Sequence, residues 1–251
     1  MKLGLSILLL LGSFSVMADT ITIKADQWCP YNCDPKSDKP GYIIEAAKII
    51  FEKAGHKIDY QTLAWARALK EAKEGTITAV VGANAEEVKD GFVLPKMSQG
   101  LNVFAFFTKK GASWKYTGPD SLKQLKLLGT IADYSYNDEI NAFIKDNKPL
   151  IDQASGETAL DQCMKKLNAD RITAVVEDRN VFNLAAANAG FKDAFEEAGS
   201  SAEKIKLYIA FSAKNPKAKE YVSIFEKGWA ELRKSGELKK ILDKYNSKDW
   251  E

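Results

Sequence analysis

Apolar and polar residues alternate over 20–25, and that period of two predicts a first strand. Apolar positions then recur at helical spacing over 43–54, with Gly55 placed as a C-terminal stop. A strand at 58–63, a helix at 64–73 closed by Gly75 and a strand at 77–81 complete a βαβαβ unit. A second unit reads as a short helix at 121–125, a strand at 127–131, helices at 137–145 and 159–167, a strand at 172–176 and a helix at 181–189. Strong strands at 101–108 and 205–211 are placed to leave the first unit and return to it. Helices at 216–234 and 237–245 close the chain, with Asn215-Pro216 as a start signal. Residues 26–40, rich in Pro, Asn and Asp, read as a loop, and 111–119 as a connector.

The pentapeptide Ile-Thr-Ala-Val-Val occurs twice, at Ile77 and at Ile172, each time after a charged helical stretch and before a polar turn. A β-branched run that is apolar throughout suits a strand buried on both faces of a parallel sheet. Two such units imply two similar α/β lobes. Open α/β sheets bind ligands beyond the carboxyl ends of their strands, so the turns at Gly82-Ala83-Asn84 and Glu177-Asp178-Arg179 face a common cleft. Two connections between the lobes make a hinge.

Residues 1–18 carry Lys2, an apolar run over 3–14 and small residues before a cleavage point after Ala18, the pattern of a secretory leader. The run is shorter than the ~20 apolar residues of a membrane span. Export to the periplasm is therefore expected, with no lipid anchor, because no Cys follows the cut. Formal charge is +2 for the whole chain, and loss of Lys2 brings it nearer balance, which argues against a nucleic-acid partner. In an oxidising compartment Cys29 and Cys33, with Pro30 between them, are expected to form a disulfide rather than stay as two thiols. A metal site is less supported, since His56 is the one histidine and no third thiol is nearby. Cys163 shares a helical face with Leu160, Met164 and Leu167 and reads as a buried thiol.

The order of these elements, with Gly41-Tyr42-Ile43-Ile44-Glu45 opening the first helix, Trp65-Ala66-Arg67-Ala68-Leu69 and Tyr134-Ser135-Tyr136, resembles the family 3 bacterial extracellular solute-binding proteins. These are mostly polar-amino-acid receptors of ABC importers, and the resemblance runs from about Thr20 to Tyr245. It implies a two-lobed α/β periplasmic-binding-protein fold of type II, with two parallel-rich sheets joined by two hinge crossings. The expected division is 19–109 with 206–251 in lobe 1 and 110–205 in lobe 2. The implied partners are a small-molecule ligand and an ABC permease or a membrane sensor; a monomer without cofactor or metal is expected.

In that family an acidic residue just after the second-lobe strand commonly holds the ligand's amino group, and Asp178 stands at that place. The competing role for Asp178 is a turn acid paired with Arg179. Members that bind α-amino acids usually carry an arginine after the first-lobe strand, whose planar fork grips the α-carboxylate. Here Asn84-Ala85-Glu86-Glu87-Val88-Lys89-Asp90 contains none, so either Lys89 or Arg67 replaces it, or the ligand has no α-carboxylate. Asp26, Trp28 and Tyr31 follow the first strand and are expected at the cleft rim, as are Asn84 and, at the start of the second helix, Trp65 and Arg67. Packing against the cysteine loop is the alternative for Trp28, and the core for Trp65. Tyr134, Ser135 and Tyr136 precede a helix N-terminus that can hold an anionic group, although Ser135 also suits a plain cap. A ligand-sensing subunit is the alternative function. An enzyme on the same fold, a dehydratase or peptidoglycan-cleaving one, finds weak support: Glu45, Glu177 and Asp178 form no evident acid/base pair and no Ser-His-Asp set exists.

Overall fold

The computed structural model describes residues 18–250. The leader expectation, apart from Ala18, lies outside the described residues. The chain runs β1 (Thr20–Ala25), α1 (Tyr42–Lys53), β2 (Lys57–Thr62), α2 (Trp65–Glu74), β3 (Ala79–Ala83), β4 (Phe92–Val93) and β5 (Gly100–Asn102). It continues with β6 (Phe104–Lys109), α3 (Pro119–Leu122), β7 (Leu128–Ile131), α4 (Asp138–Asp146), β8 (Ile151–Ala154), α5 (Ala159–Asn168), β9 (Ala174–Asp178), α6 (Arg179–Asn188) and β10 (Phe195–Ser200). Last come β11 (Ile205–Ser212), α7 (Ala218–Ser235) and α8 (Glu237–Lys244).

Two sheets result. The first has the order β2-β1-β3-β11-β4, with β5 also on β11; the second is β10-β6-β9-β7-β8. The repeated pentapeptide explains the correspondence between them. Its Ala-Val-Val segments enter β3 and β9, each flanked by a parallel strand on one side and an antiparallel crossing strand on the other. Both sheets are thus mixed rather than parallel-rich, because each crossing strand enters against the direction of its neighbours. The two strands start at Ala79 and Ala174, two residues later than the pentapeptides begin.

The crossing also falls elsewhere than expected. Phe104–Lys109 pairs with β9 and β10, so it belongs to the second sheet and the chain crosses at Val103, not after 109. A run that is apolar on both faces carries no mark of where it changes sheet. The return crossing occupies 201–204, between β10 and β11. We call each sheet with its helices a lobe.

Burial explains the layers. In β1, Ile21, Ile23 and Ala25 are buried while Thr20 is exposed, as the alternation requires. They meet α1, whose buried face includes Ile43, Ile44, Ala47, Ile50 and Phe51. Phe51 stacks on Phe225 of α7 at 6.1 Å, tying the C-terminal helices to the first lobe. The second lobe carries a cluster on each face of its sheet, marked by Phe107 stacked on Phe182 at 3.8 Å and Phe106 on Tyr116 at 4.2 Å. Each such ring contributes ~1.5–3 kcal/mol by leaving water.

Helix α1 starts without a side-chain cap. Its first N–H groups instead reach the loop that follows β1: Tyr42 donates to the Pro30 carbonyl at 3.0 Å and Ile43 to that of Tyr31 at 3.1 Å. Gly41 makes this approach possible. Its φ is +103°, and a Cβ there would lie 2.3 Å from Asn32 Cα and 2.5 Å from the Tyr31 carbonyl oxygen. Gly41→Ala is therefore expected to cost ~2 kcal/mol or more through left-handed strain and backbone collision, read as a lowered urea midpoint. An unchanged midpoint would show that the loop yields freely.

Candidate functional site

The loop docked on Gly41 is also what brings the first lobe to the cleft. Cys29 and Cys33 are bridged, with their Cα atoms 4.7 Å apart, and the Trp28 N–H donates to the Asn32 carbonyl at 2.7 Å. Within this tight turn Trp28 stacks on Tyr31 at 4.7 Å. The indole is then aimed across the cleft, where Nε1 donates to Glu177 Oε1 at 2.9 Å. The Tyr31 hydroxyl lies 2.9 Å from the Leu101 carbonyl and 3.3 Å from Asp178 Oδ2. The Tyr134 hydroxyl donates to Asp26, and Asn84 Nδ2 approaches the Ser135 carbonyl at 3.5 Å. The Leu101 contact stays within the first lobe, and the other four join the lobes directly.

Between them lies a cavity of about 40 Å³, room for more than the single water that ~10–15 Å³ admits. Asp26, Trp28, Trp65, Asn84, Tyr134 and Ser135, all expected from sequence, line it. Glu87, Asn102 and Phe104 line it as well and were not expected. The Asn84 Oδ1 accepts the Glu87 N–H at 2.9 Å, and this cap-like bond three residues on folds Glu87 inward to accept from Trp65 Nε1 at 2.7 Å. The Asn-x-x-Glu spacing was the available signal, but Glu86-Glu87 in a charged turn resembles a solvated surface. No Lys, Arg or His is among the described residues that line the cavity.

Four carboxyl groups gather here and are all held above their ordinary range, chiefly by burial. Asp26 is raised to about 6, with the Tyr134 bond opposing. Glu87 is raised to about 7, and Glu177 to about 8 with the Trp28 bond opposing. Asp178 is raised to about 6, restrained by bonds from the Val181, Val103 and Asn180 amides. Burial also drives the Cys163 thiol up to about 12.

The remaining expected residues sit differently. Asp178 is fully buried and does not line the cavity; it is the last residue of β9 and the N-cap of α6, so no turn separates them. Its Oδ1 accepts from Asn180 and Val181 at 2.8 and 3.0 Å, and Oδ2 from the Val103 amide at 3.2 Å. Arg179 pairs with Glu197 instead of Asp178. Arg67 is exposed and bonded to Glu71 at 3.1 Å, away from the cavity, and exposed Lys89 lies 3.6 Å from Glu86. Tyr136 is in the second-lobe core, where its hydroxyl accepts from the Ile131 amide at 2.9 Å. The α4 cap is Asn137, not Ser135.

A cavity between two corresponding α/β lobes, lined by hydrogen-bonding groups, is the geometry of a two-lobed binding protein. The chain belongs to the bacterial extracellular solute-binding proteins, family 3, whose model matches residues 21–248. Its fold is that of the periplasmic binding proteins. A histidine kinase sensor domain with similarity to periplasmic binding proteins matches with a TM-score of 0.76 at 18% identity, over 90% of this chain and 95% of that one. An ancestral arginine-binding protein bound to arginine matches at 0.75 and 20%, covering 90% and 97%. An ABC uptake transporter substrate-binding protein from Streptococcus pneumoniae with bound histidine matches at 0.74 and 21%, covering 90% and 92%. No curated protein sequence matches. Among the described residues, no helix is long and apolar enough to cross a membrane.

Proposed function

We propose that the protein captures a small polar, amine-bearing solute between its lobes in the periplasm and delivers it to an ABC importer. The observation that carries this reading is the acid-lined cavity, walled by Trp28, Trp65 and Tyr134 and bridged by hydrogen bonds between the lobes. Carboxylates pair with ammonium groups through charge-assisted bonds, and aromatic faces attract cations. The neighbours described as bound to arginine and to histidine support an amine-bearing solute. A thermal-shift screen of amino acids, amines, carboxylates and oligopeptides tests it. A true ligand at a hundred times its dissociation constant stabilises by ~2.7 kcal/mol; if no solute shifts the transition, the binding role fails. Export is tested by N-terminal sequencing of the periplasmic fraction, expected to start at Asp19, and intact Met1 there would refute cleavage.

A second reading, a subunit that reports the solute to a signalling receptor, is favoured by the histidine kinase sensor neighbour. Deleting the gene separates the two. An importer component is needed for uptake of labelled solute; a sensor is needed for the transcriptional response while uptake persists.

A further inference from the structure

Resting on the solute-binding reading, we infer that the cavity takes a compact organic cation that carries no carboxylate, with Asp26 and Glu87 as its counter-charges. The class comprises amines, amidines and quaternary ammonium compounds.

The lining is one-sided in charge and in hydrogen-bonding sense. Asp26 and Glu87 both face the cavity, and the Asp26 charge raises the cost of ionising Glu87 unless a cation arrives. Each already has one aromatic donor, Tyr134 for Asp26 and Trp65 for Glu87, and one backbone bond, from its own amide for Asp26 and from Asn84 for Glu87. A carboxylate accepts through four lone pairs, so each retains capacity for donors from a ligand. Asn102 supplies an independent observation. It lines the cavity, is 3% exposed, and its Oδ1 is buried without a hydrogen-bond partner. A buried acceptor left unpaired is costly, and a ligand rich in N–H groups removes that cost.

A ligand carboxylate meets the opposite situation. The nearby cations are engaged outside: Arg67 with Glu71, and Lys89 with Glu86. Lys73 acts on Glu87 only weakly, from the exposed side of α2. An α-carboxylate in the cavity would therefore stand beside Asp26 and Glu87 with no guanidinium fork to receive it. Trp28, Trp65 and Tyr134 complete walls suited to the methyl or methylene groups that surround an organic cation.

The test is calorimetry with matched pairs that differ by one carboxylate: putrescine and ornithine, agmatine and arginine, histamine and histidine, tetramethylammonium and glycine betaine. The cation of at least one pair is expected to bind about tenfold or more tightly than its carboxylate-bearing partner. Glu87→Gln and Asp26→Asn are expected to weaken that cation by about tenfold or more each. Because Gln and Asn retain an acceptor for Trp65 or Tyr134, the folded state should survive, and a urea titration without ligand checks it. Removing a buried charge should leave the midpoint equal or higher while affinity falls, a divergence that loss of structure would not give. If the α-amino acids bind as tightly as their amines, the cation assignment is overturned while the solute-binding reading stands. If only neutral solutes bind, the same holds. If no arm binds, and sugars and oligopeptides also fail, both readings fall.

Discussion

Asp178→Ala is expected to destabilise the folded protein by about 2 kcal/mol even before a ligand is added. The carboxylate is the N-cap of α6 and also accepts the Val103 amide at the crossing between the sheets. Loss of an acidic cap costs ~1 kcal/mol, and a buried N–H left without a partner costs ~1–3 kcal/mol. Part of this is offset, because the group removed is a carboxylate that burial already makes unfavourable to ionise. Urea unfolding should show a lower midpoint with an unchanged slope. An unchanged midpoint would mean that other groups satisfy the Val103 and α6 amides. Any loss of solute binding in this variant must be read against the stability change, since the residue that ties the crossing to α6 also sets the relative position of the lobes.

The second large effect is a dependence on pH that runs in two directions. Glu177 is fully buried, with Oε2 unpartnered, and the groups acting on it are Trp28, Asp178 and Asp26; Tyr134, Tyr136 and Cys163 feel its charge in turn. Its folded value, about 8, stands above its ordinary one, so the folded chain holds a proton that the unfolded chain has lost near pH 4–5. The contribution is fully present below the unfolded value and disappears as pH rises through 8. Asp26, Asp178 and Glu87 act in the same sense, through about 6 and 7. Stability without ligand should thus fall between pH 5 and 9, with on the order of 4 kcal/mol of the loss coming from Glu177 alone. Glu177→Gln should flatten that slope and raise stability at pH 8. Equal slopes for parent and variant would remove Glu177 from the account. Affinity for a cation should move oppositely, rising with pH as Asp26 and Glu87 ionise.

Much of the architecture was legible because the same pentapeptide runs into β3 and into β9 and because the helices carry clean apolar faces. β4, β8 and β10 escaped notice: Phe92–Val93 is too short for a pattern, and Phe195–Ser200 contains Glu-Glu, Ala and Gly. The cavity was partly readable from position alone, since Asp26, Trp28 and Trp65 follow strand ends. Arg67 was misplaced for a geometric reason. Two residues along a helix amount to about 200° of rotation, so when Trp65 turns inward Arg67 turns to solvent. Glu87 was hidden by the opposite problem: nothing in Glu86-Glu87 tells which of the pair the Asn84 side chain will draw inside.

The links across the cleft bear on time as well as affinity. Trp28–Glu177, Tyr134–Asp26 and Tyr31–Asp178 are bonds between protein groups, so they hold the lobes together whatever the solute contributes. For a molecule held between the lobes, they add to the cost of parting them. These bonds add to whatever the solute contributes to closure, so removing one of them should speed the departure of every solute, while a tighter solute still departs more slowly than a weaker one. The loop closed by Cys29 and Cys33, by fixing Trp28 at the seam, becomes a setting on the receptor's clock.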